Sequence, residues 1–110
     1  MYISIDQSTS STTVFVYNKN FKLAFKAAKS HKQIQKSAGY VEHDANEIYK
    51  NIIVLTKKIS KKIKYNSDLF LSITNQRETF VIFDTLTGKP LYNAIVWQCR
   101  RGQNVCDKIN

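Results

Sequence analysis

Five apolar residues, Ile48, Ile52, Leu55, Ile59 and Ile63, recur at spacings of 4, 3, 4 and 4, and this stripe constrains the fold more than any other feature of the chain. Steps of three and four return to the same side of an α-helix, so the stripe predicts an amphipathic helix over roughly 45–64. Asp44 reads as its N-cap, and Glu47, three residues on, is placed for a capping box. Such a helix must lay its apolar side on another layer, and the rest of the chain is written in strands.

Tyr2 to Asp6 alternates and is rich in β-formers; Thr12 to Tyr17 repeats the pattern, with Asn18-Lys19-Asn20 as the next turn. Phe21 to Ala28 predicts a third strand, and His31 to Val41 a loop in which Gly39 is the position best suited to a special backbone angle. Beyond the helix, Leu69 to Thr74 predicts a short strand of the buried type. Thr79 to Asp84 and Leu91 to Trp97 predict two more, separated by the turn Thr87-Gly88-Lys89-Pro90. Arg100 to Asn110 has the character of a helix start, and its end without a glycine cap suggests a truncated element. Hairpins followed by a helical crossover to a further strand predict an α/β fold, a mixed β-sheet with a covering helix.

Charge narrows the function classes. The 110 residues carry 17 Lys+Arg against 8 Asp+Glu, a formal charge of +9, yet 14 of the cations are lysines and three are arginines. Base-edge and phosphate-fork recognition favour arginine, and the densest cluster, Lys57, Lys58, Lys61, Lys62 and Lys64, lies where a helix end favours cations. Nucleic acid is therefore not the expected partner, although a small Lys-rich binding module stays open as an alternative. No apolar run approaches the roughly 18 residues of a membrane span, and the N-terminus has no secretory pattern, so the expected compartment is the cytoplasm. Cys99 and Cys106, seven apart, would be separated by about 10.5 Å on a helix, too far for a disulfide; both are expected as buried or half-buried free thiols.

Three polar interruptions could carry chemistry. Asp6 ends a strand and leads into Gln7-Ser8-Thr9-Ser10-Ser11, four hydroxyls in a row. Turn N–H groups with such hydroxyls can cradle phosphate oxygens, and the adjacent carboxylate can hold Mg²⁺ through water; a plain polar turn is the alternative. Asn75-Gln76-Arg77-Glu78-Thr79 sits between two apolar stretches. Arg77 and Glu78 could offer donors and an acceptor to a polyol, but neighbours on a strand point to opposite faces, so both reach one ligand only if the backbone kinks. Trp97, before Gln98, could wall a sugar-like carbon chain or plug the core. His31 and His43 show no ligand partners at useful spacing and read as structural or solvated.

These segments occur in the order seen in one family. Asp6-Gln7-x-Thr9, Gly39-x-Val41-Glu42-His43-Asp44, Ile73-Thr74-Asn75-Gln76-Arg77-Glu78-Thr79 and Thr87-Gly88-Lys89-Pro90 through Tyr92-Asn93-Ala94-Ile95-Val96-Trp97-Gln98 to Arg100-Arg101 resemble the N-terminal part of the FGGY carbohydrate kinases, and among them those acting on glycerol rather than xylulose or gluconate. The resemblance spans nearly the whole chain. It implies residues 1–110 as part of an FGGY N-terminal domain with the actin-like/ribonuclease-H-like ATPase fold, the second domain being absent. It further implies ATP-dependent phosphorylation of glycerol to glycerol 3-phosphate. In that reading Asp6 sits by the Mg²⁺-nucleotide, Thr9, Ser10 and Ser11 face the ATP phosphates, Arg77 and Glu78 hydrogen-bond glycerol, and Trp97 lines the pocket.

The chain departs from the family pattern at Ser8, where a loop glycine is usual, at Thr13, where a phosphate-loop arginine falls, and at Lys36-Ser37-Ala38-Gly39-Tyr40, which lacks the family's two prolines. The resemblance also places the catalytic-base aspartate beyond Asn110. The expectation is a chain inactive by itself, with a second chain carrying the rest of the kinase as its partner; a non-catalytic fragment with a drifting site is the alternative.

Overall fold

The structure, a computed structural model, describes residues 1–63 and 68–109. Lys64, at the end of the expected helix and lysine cluster, and Asn110 lie outside the described residues. Strands β1 (Tyr2–Gln7), β2 (Ser11–Tyr17) and β3 (Leu23–Ser30) form an antiparallel meander, and β5 (Phe70–Asn75) pairs parallel to β1, giving the order β3-β2-β1-β5. A two-residue β4 (Glu42–His43) pairs antiparallel with β6 (Ala94–Ile95) in a separate small sheet. The mixed sheet and its helix make the α/β architecture that alternating strands and one apolar stripe predict.

Alternation decides which side chains meet the helix. Ile5, Val14 and Val16 point to one face of the sheet and are buried, joined by the partly buried Phe25 and Ala27 of β3. Helix α1 (Ala45–Ser60) lays Leu55 and Ile59 on them, and Ile63 just past the helix completes the cluster. Burying side chains of this size contributes roughly 1.5–3 kcal/mol each. Asp44 caps the helix as expected, its Oδ1 accepting the Asn46 N–H at 2.8 Å. The capping box does not close: the Glu47 carboxylate accepts the Lys32 N–H instead, at 3.2 Å, and so pins the loop before the helix to its first turn. Asn51 is buried and donates to the Ser30 carbonyl at 3.0 Å, holding the end of β3 against the helix.

Three expectations are corrected. The strand after the helix exists, but it is exposed along its whole length, with Leu71 and Ile73 61% and 62% exposed. The helix covers β1 to β3 and leaves the β5 side chains exposed, with Phe70 stacked on the Tyr2 ring at 5.4 Å. The stretches 79–84 and 91–97 form only isolated bridges, Phe80 with Ile95 and Phe83 with Pro90, around the two-residue β6. Asp84 interrupts them: its Oδ1 accepts the N–H groups of Leu86 and Thr87 and the Thr87 hydroxyl, a side-chain turn that competes with a ladder. Finally, α2 (Gln103–Ile109) starts after Cys99, which is half-buried, while Cys106 is exposed; both thiols are free.

Gly39 takes the left-handed backbone angle its sequence context predicts, φ 77°, and its carbonyl accepts the Arg100 N–H at 2.7 Å. No helix of the described residues is long and apolar enough to cross a membrane.

Candidate functional site

The parallel pairing of β1 with β5 sets Asp6 opposite Thr74 and Gln7 opposite Asn75, so both strands deliver their following turns to the same edge. The two polar interruptions, nearly seventy positions apart, open there onto one cavity of about 450 Å³. Asp6, Ser8 and Thr9 line it from the first turn, Gln76, Arg77 and Glu78 from the second, and Trp97 from the side. Ser10 and Ser11 are not among the lining residues. Ser11 already belongs to β2, paired with Ser30, and the Ser10 carbonyl accepts the His31 N–H, so the hydroxyl run splits between cavity and scaffold.

The kink that Arg77 and Glu78 need is present. Glu78 has φ 62°, a left-handed conformation uncommon for a residue with a side chain. It breaks strand alternation immediately after Arg77, and both side chains line the cavity. An observed backbone outlier of this type is a pointer to a functional position.

The first turn is fixed from several sides. The Ser8 N–H donates to the Ser11 carbonyl at 2.9 Å and the Ser8 hydroxyl to Asp6 Oδ1 at 2.8 Å. Ser8 is not among the residues with positive φ, so serine meets no backbone penalty here. Beneath the turn, Gln7 and Thr12 are buried and bonded to each other, the Thr12 hydroxyl donating to Gln7 Oε1. Trp97 does not plug the core. It is 52% exposed, and its indole N–H donates to Thr9 Oγ1 at 3.1 Å while its backbone N–H donates to Thr79 Oγ1 at 3.2 Å. The tryptophan therefore ties the Thr9 turn to the residues following Glu78.

Sequence reasoning missed the residue that organises this side of the molecule. Glu42 is completely buried. Its Oε2 accepts from Asn93 at 2.8 Å and pairs with Lys36 at 3.3 Å; its Oε1 accepts from Arg101 at 2.7 Å and from the Tyr92 hydroxyl at 3.0 Å. The Asn93 hydrogen bond, followed by those from Arg101, Tyr92 and Lys36, outweighs desolvation and holds the carboxyl down to about 2. Arg101 also stacks on the Tyr40 ring at 4.6 Å and donates to Cys99 Sγ at 2.9 Å. The signal in sequence was the acid in the Gly39-x-Val41-Glu42-His43-Asp44 stretch, but its four partners lie up to 59 positions away. His31 and His43, expected as structural or solvated, are both buried and meet edge to face with ring centroids 4.7 Å apart. Burial, reinforced by His31, pushes His43 down to about 4, so it is neutral at physiological pH.

Comparison with known proteins bears on this arrangement. The model of the FGGY family of carbohydrate kinases, N-terminal domain, matches residues 1–110. The chain belongs to the FGGY family. Curated relatives include glycerol kinase 1 of Thermotoga maritima, 40% identical over 99% of this chain and 23% of its own length. The glycerol kinase of Rhizobium meliloti is 44% identical over 97% and 22%. Among solved structures, Plasmodium falciparum glycerol kinase with ADP superimposes on the whole of this chain and 23% of its own, with a TM-score of 0.89 and 38% identity. A ligand-bound xylulose kinase from Lactobacillus acidophilus, at 20% identity, shares the fold with a TM-score of 0.86 over 98% of this chain. This FGGY chain thus has the actin-like α/β fold of its relatives and spans about a fifth to a quarter of their length.

Proposed function

We propose that the chain supplies the phosphate-facing and polyol-facing turns of a glycerol kinase, the portion that holds glycerol beside the transferable phosphate of ATP. The observation that carries this reading is the shared cavity: an acid-hydroxyl turn and an Arg-Glu turn open side by side, joined by Trp97. Arg77 and Glu78 offer, respectively, planar donors and an acceptor to adjacent hydroxyls, and the Trp97 ring gives the carbon chain an apolar wall. Thr9, held by its carbonyl and its hydroxyl, faces the same space from the phosphate side, while Ser10 and Ser11 belong to the scaffold behind it.

The residues fit Mg²⁺ only in an outer-sphere role. Asp6 is the one carboxylate of the first turn, its Oδ1 is engaged by Ser8, and no group of three or more His, Cys, Asp or Glu side chains among the described residues could form a protein cage. Asp6 would hold the ion through water, as suits a cation that keeps its hydration shell. Bound Mg²⁺-ATP would supply the phosphoryl group and neutralise its charge. What this chain does is orient: it fixes glycerol by two side chains, keeps the hydroxyl turn facing it, and excludes water on the Trp97 side.

On this reading the 110 residues bind glycerol weakly and do not turn over ATP by themselves. Isothermal titration with glycerol, repeated for Arg77→Ala and Glu78→Gln, tests the first part; each substitution is expected to weaken binding at least tenfold. Gluconate binding as tightly as glycerol, or no response of glycerol binding to either substitution, would overturn the assignment. Glycerol-dependent ADP release by the chain alone would refute inactivity. Turnover on adding a polypeptide corresponding to the remaining length of a glycerol kinase would support the division of labour.

A further inference from the structure

Trp97 is held by threonine hydroxyls from both sides of the cavity. Its backbone N–H donates to Thr79 Oγ1 at 3.2 Å, immediately after the Glu78 kink, and its indole N–H donates to Thr9 Oγ1 at 3.1 Å. The Thr9 backbone is fixed separately, its carbonyl lying 2.9 Å from His31 Nε2, so the Thr9 hydroxyl is not needed to hold its own turn.

The indole bond decides what that hydroxyl can do. An indole N–H only donates, and a hydroxyl has one proton and two lone pairs. Thr9 Oγ1 therefore gives a lone pair to Trp97, and its own proton must point away from the indole. Among the described residues this hydroxyl accepts from Trp97 and donates to none. Accepting a hydrogen bond also polarises the O–H and makes it a stronger donor. Thr9 and Trp97 both line the cavity, so the proton left over suits an anionic oxygen bound there, a group that only accepts.

We propose that Trp97 is a positioning residue for the phosphate side of the cavity as well as a wall on the polyol side. Its indole N–H holds the Thr9 hydroxyl as a donor to a phosphate oxygen, and a polyol packed on its ring strengthens that hold, so the two ligands favour one another. The side chain has room to be steadied in this way: it is 52% exposed, and of its ring only the one nitrogen is tied. A ligand that contacts one arrangement of the indole better than another is what such coupling requires, and linkage makes the effect reciprocal. The inference rests on the proposed function for the identity of the polyol; the indole bond and its effect on a phosphate do not.

Trp97 is the only tryptophan, so a single indole ¹H–¹⁵N signal reports the bond. On the whole chain without ligand, Thr9→Val is expected to move that signal upfield and speed its exchange with water, and Thr9→Ser to keep it near its original position. Inorganic phosphate, followed at the Ser8 and Thr9 amides, is expected to bind Trp97→Phe about two- to tenfold more weakly than the unsubstituted chain, the worth of one hydrogen bond, although phenylalanine keeps an apolar ring. Glycerol is expected to tighten phosphate binding to the unsubstituted chain about fivefold and to leave that of Trp97→Phe unmoved. An indole signal indifferent to Thr9→Val, no phosphate response in the unsubstituted chain, equal phosphate affinity in Trp97→Phe, or glycerol that binds without changing phosphate affinity would each overturn the inference. Absence of glycerol binding would instead overturn the proposed function, and the indole and phosphate measurements would still decide this one.

Discussion

The two sides of the molecule are held together by different physics. Around α1 and β1 to β3, Ile5, Val14, Val16, Leu55, Ile59 and Ile63 exclude water by contact alone. Around β4 and β6, large apolar side chains such as Phe80, Ile82, Leu91 and Trp97 stay more than half exposed, and what gathers the chain is one buried carboxylate with four partners. An apolar cluster tolerates adjustment because dispersion is non-directional; a charge hub is all or nothing, since removing one member strands the others. The Arg-Glu turn and Trp97 belong to the second side, so the candidate site is built where stability is least distributed.

The contrast can be broken most severely at Glu42. Glu42→Gln is expected to cost about 3–5 kcal/mol on the charge-held side, by analogy with other buried pairs cut at one partner. Trp97 fluorescence should lose its urea transition before far-UV circular dichroism loses the helix; coincident transitions would show that the two sides are one cooperative unit. Leu55→Ala, a cavity in the apolar cluster, is expected to cost about 2–5 kcal/mol and to lower both signals together.

Acid separates the sides without mutation. His43 is depressed from 6.5 to about 4, so the unfolded chain takes up its proton first; the stability this contributes is full above pH 6.5 and is lost as pH falls towards 4. Glu42 is depressed from 4.5 to about 2, so its contribution is full above pH 4.5 and drains away towards 2. Thermal melts should therefore show two successive losses on acidification, the first absent in His43→Gln. Smaller still, Asp44→Ala should cost about 1 kcal/mol through the lost N-cap, read as a lower urea midpoint. Smallest is Glu78→Gly, expected to stabilise by up to about 1 kcal/mol because glycine accepts a φ of 62°, while weakening glycerol binding through the lost carboxylate.

The apolar side was legible from sequence because its information is local. The 4-3-4-4 stripe and the alternation in Tyr2–Gln7 and Ser11–Tyr17 report which faces meet, and Asp44 announces the helix start. The charge-held side was not. Apolar residues at 79–84 and 91–97 read as strands because propensity cannot see that Asp84 recruits the backbone into a side-chain turn. Leu71 and Ile73 read as core because composition records what a strand could bury, not whether a second layer is present. Within the site, the shared cavity followed from two polar breaks at strand ends, and the required kink could be stated in advance, although not that Glu78 would supply it. Glu42 and the His31–His43 contact were invisible because their partners come from distant segments that only the tertiary fold assembles.

The parallel pairing of β1 with β5 also carries a kinetic consequence. Gln7 cannot meet Asn75 until the intervening chain has been translated, and at roughly 5–20 residues per second that interval is about 3–14 s. The meander and helix need only near neighbours, whereas closing so long a loop is slow and entropically costly. During synthesis β1 thus waits with one bare edge, and the pocket closes only after β5 and Trp97 have emerged.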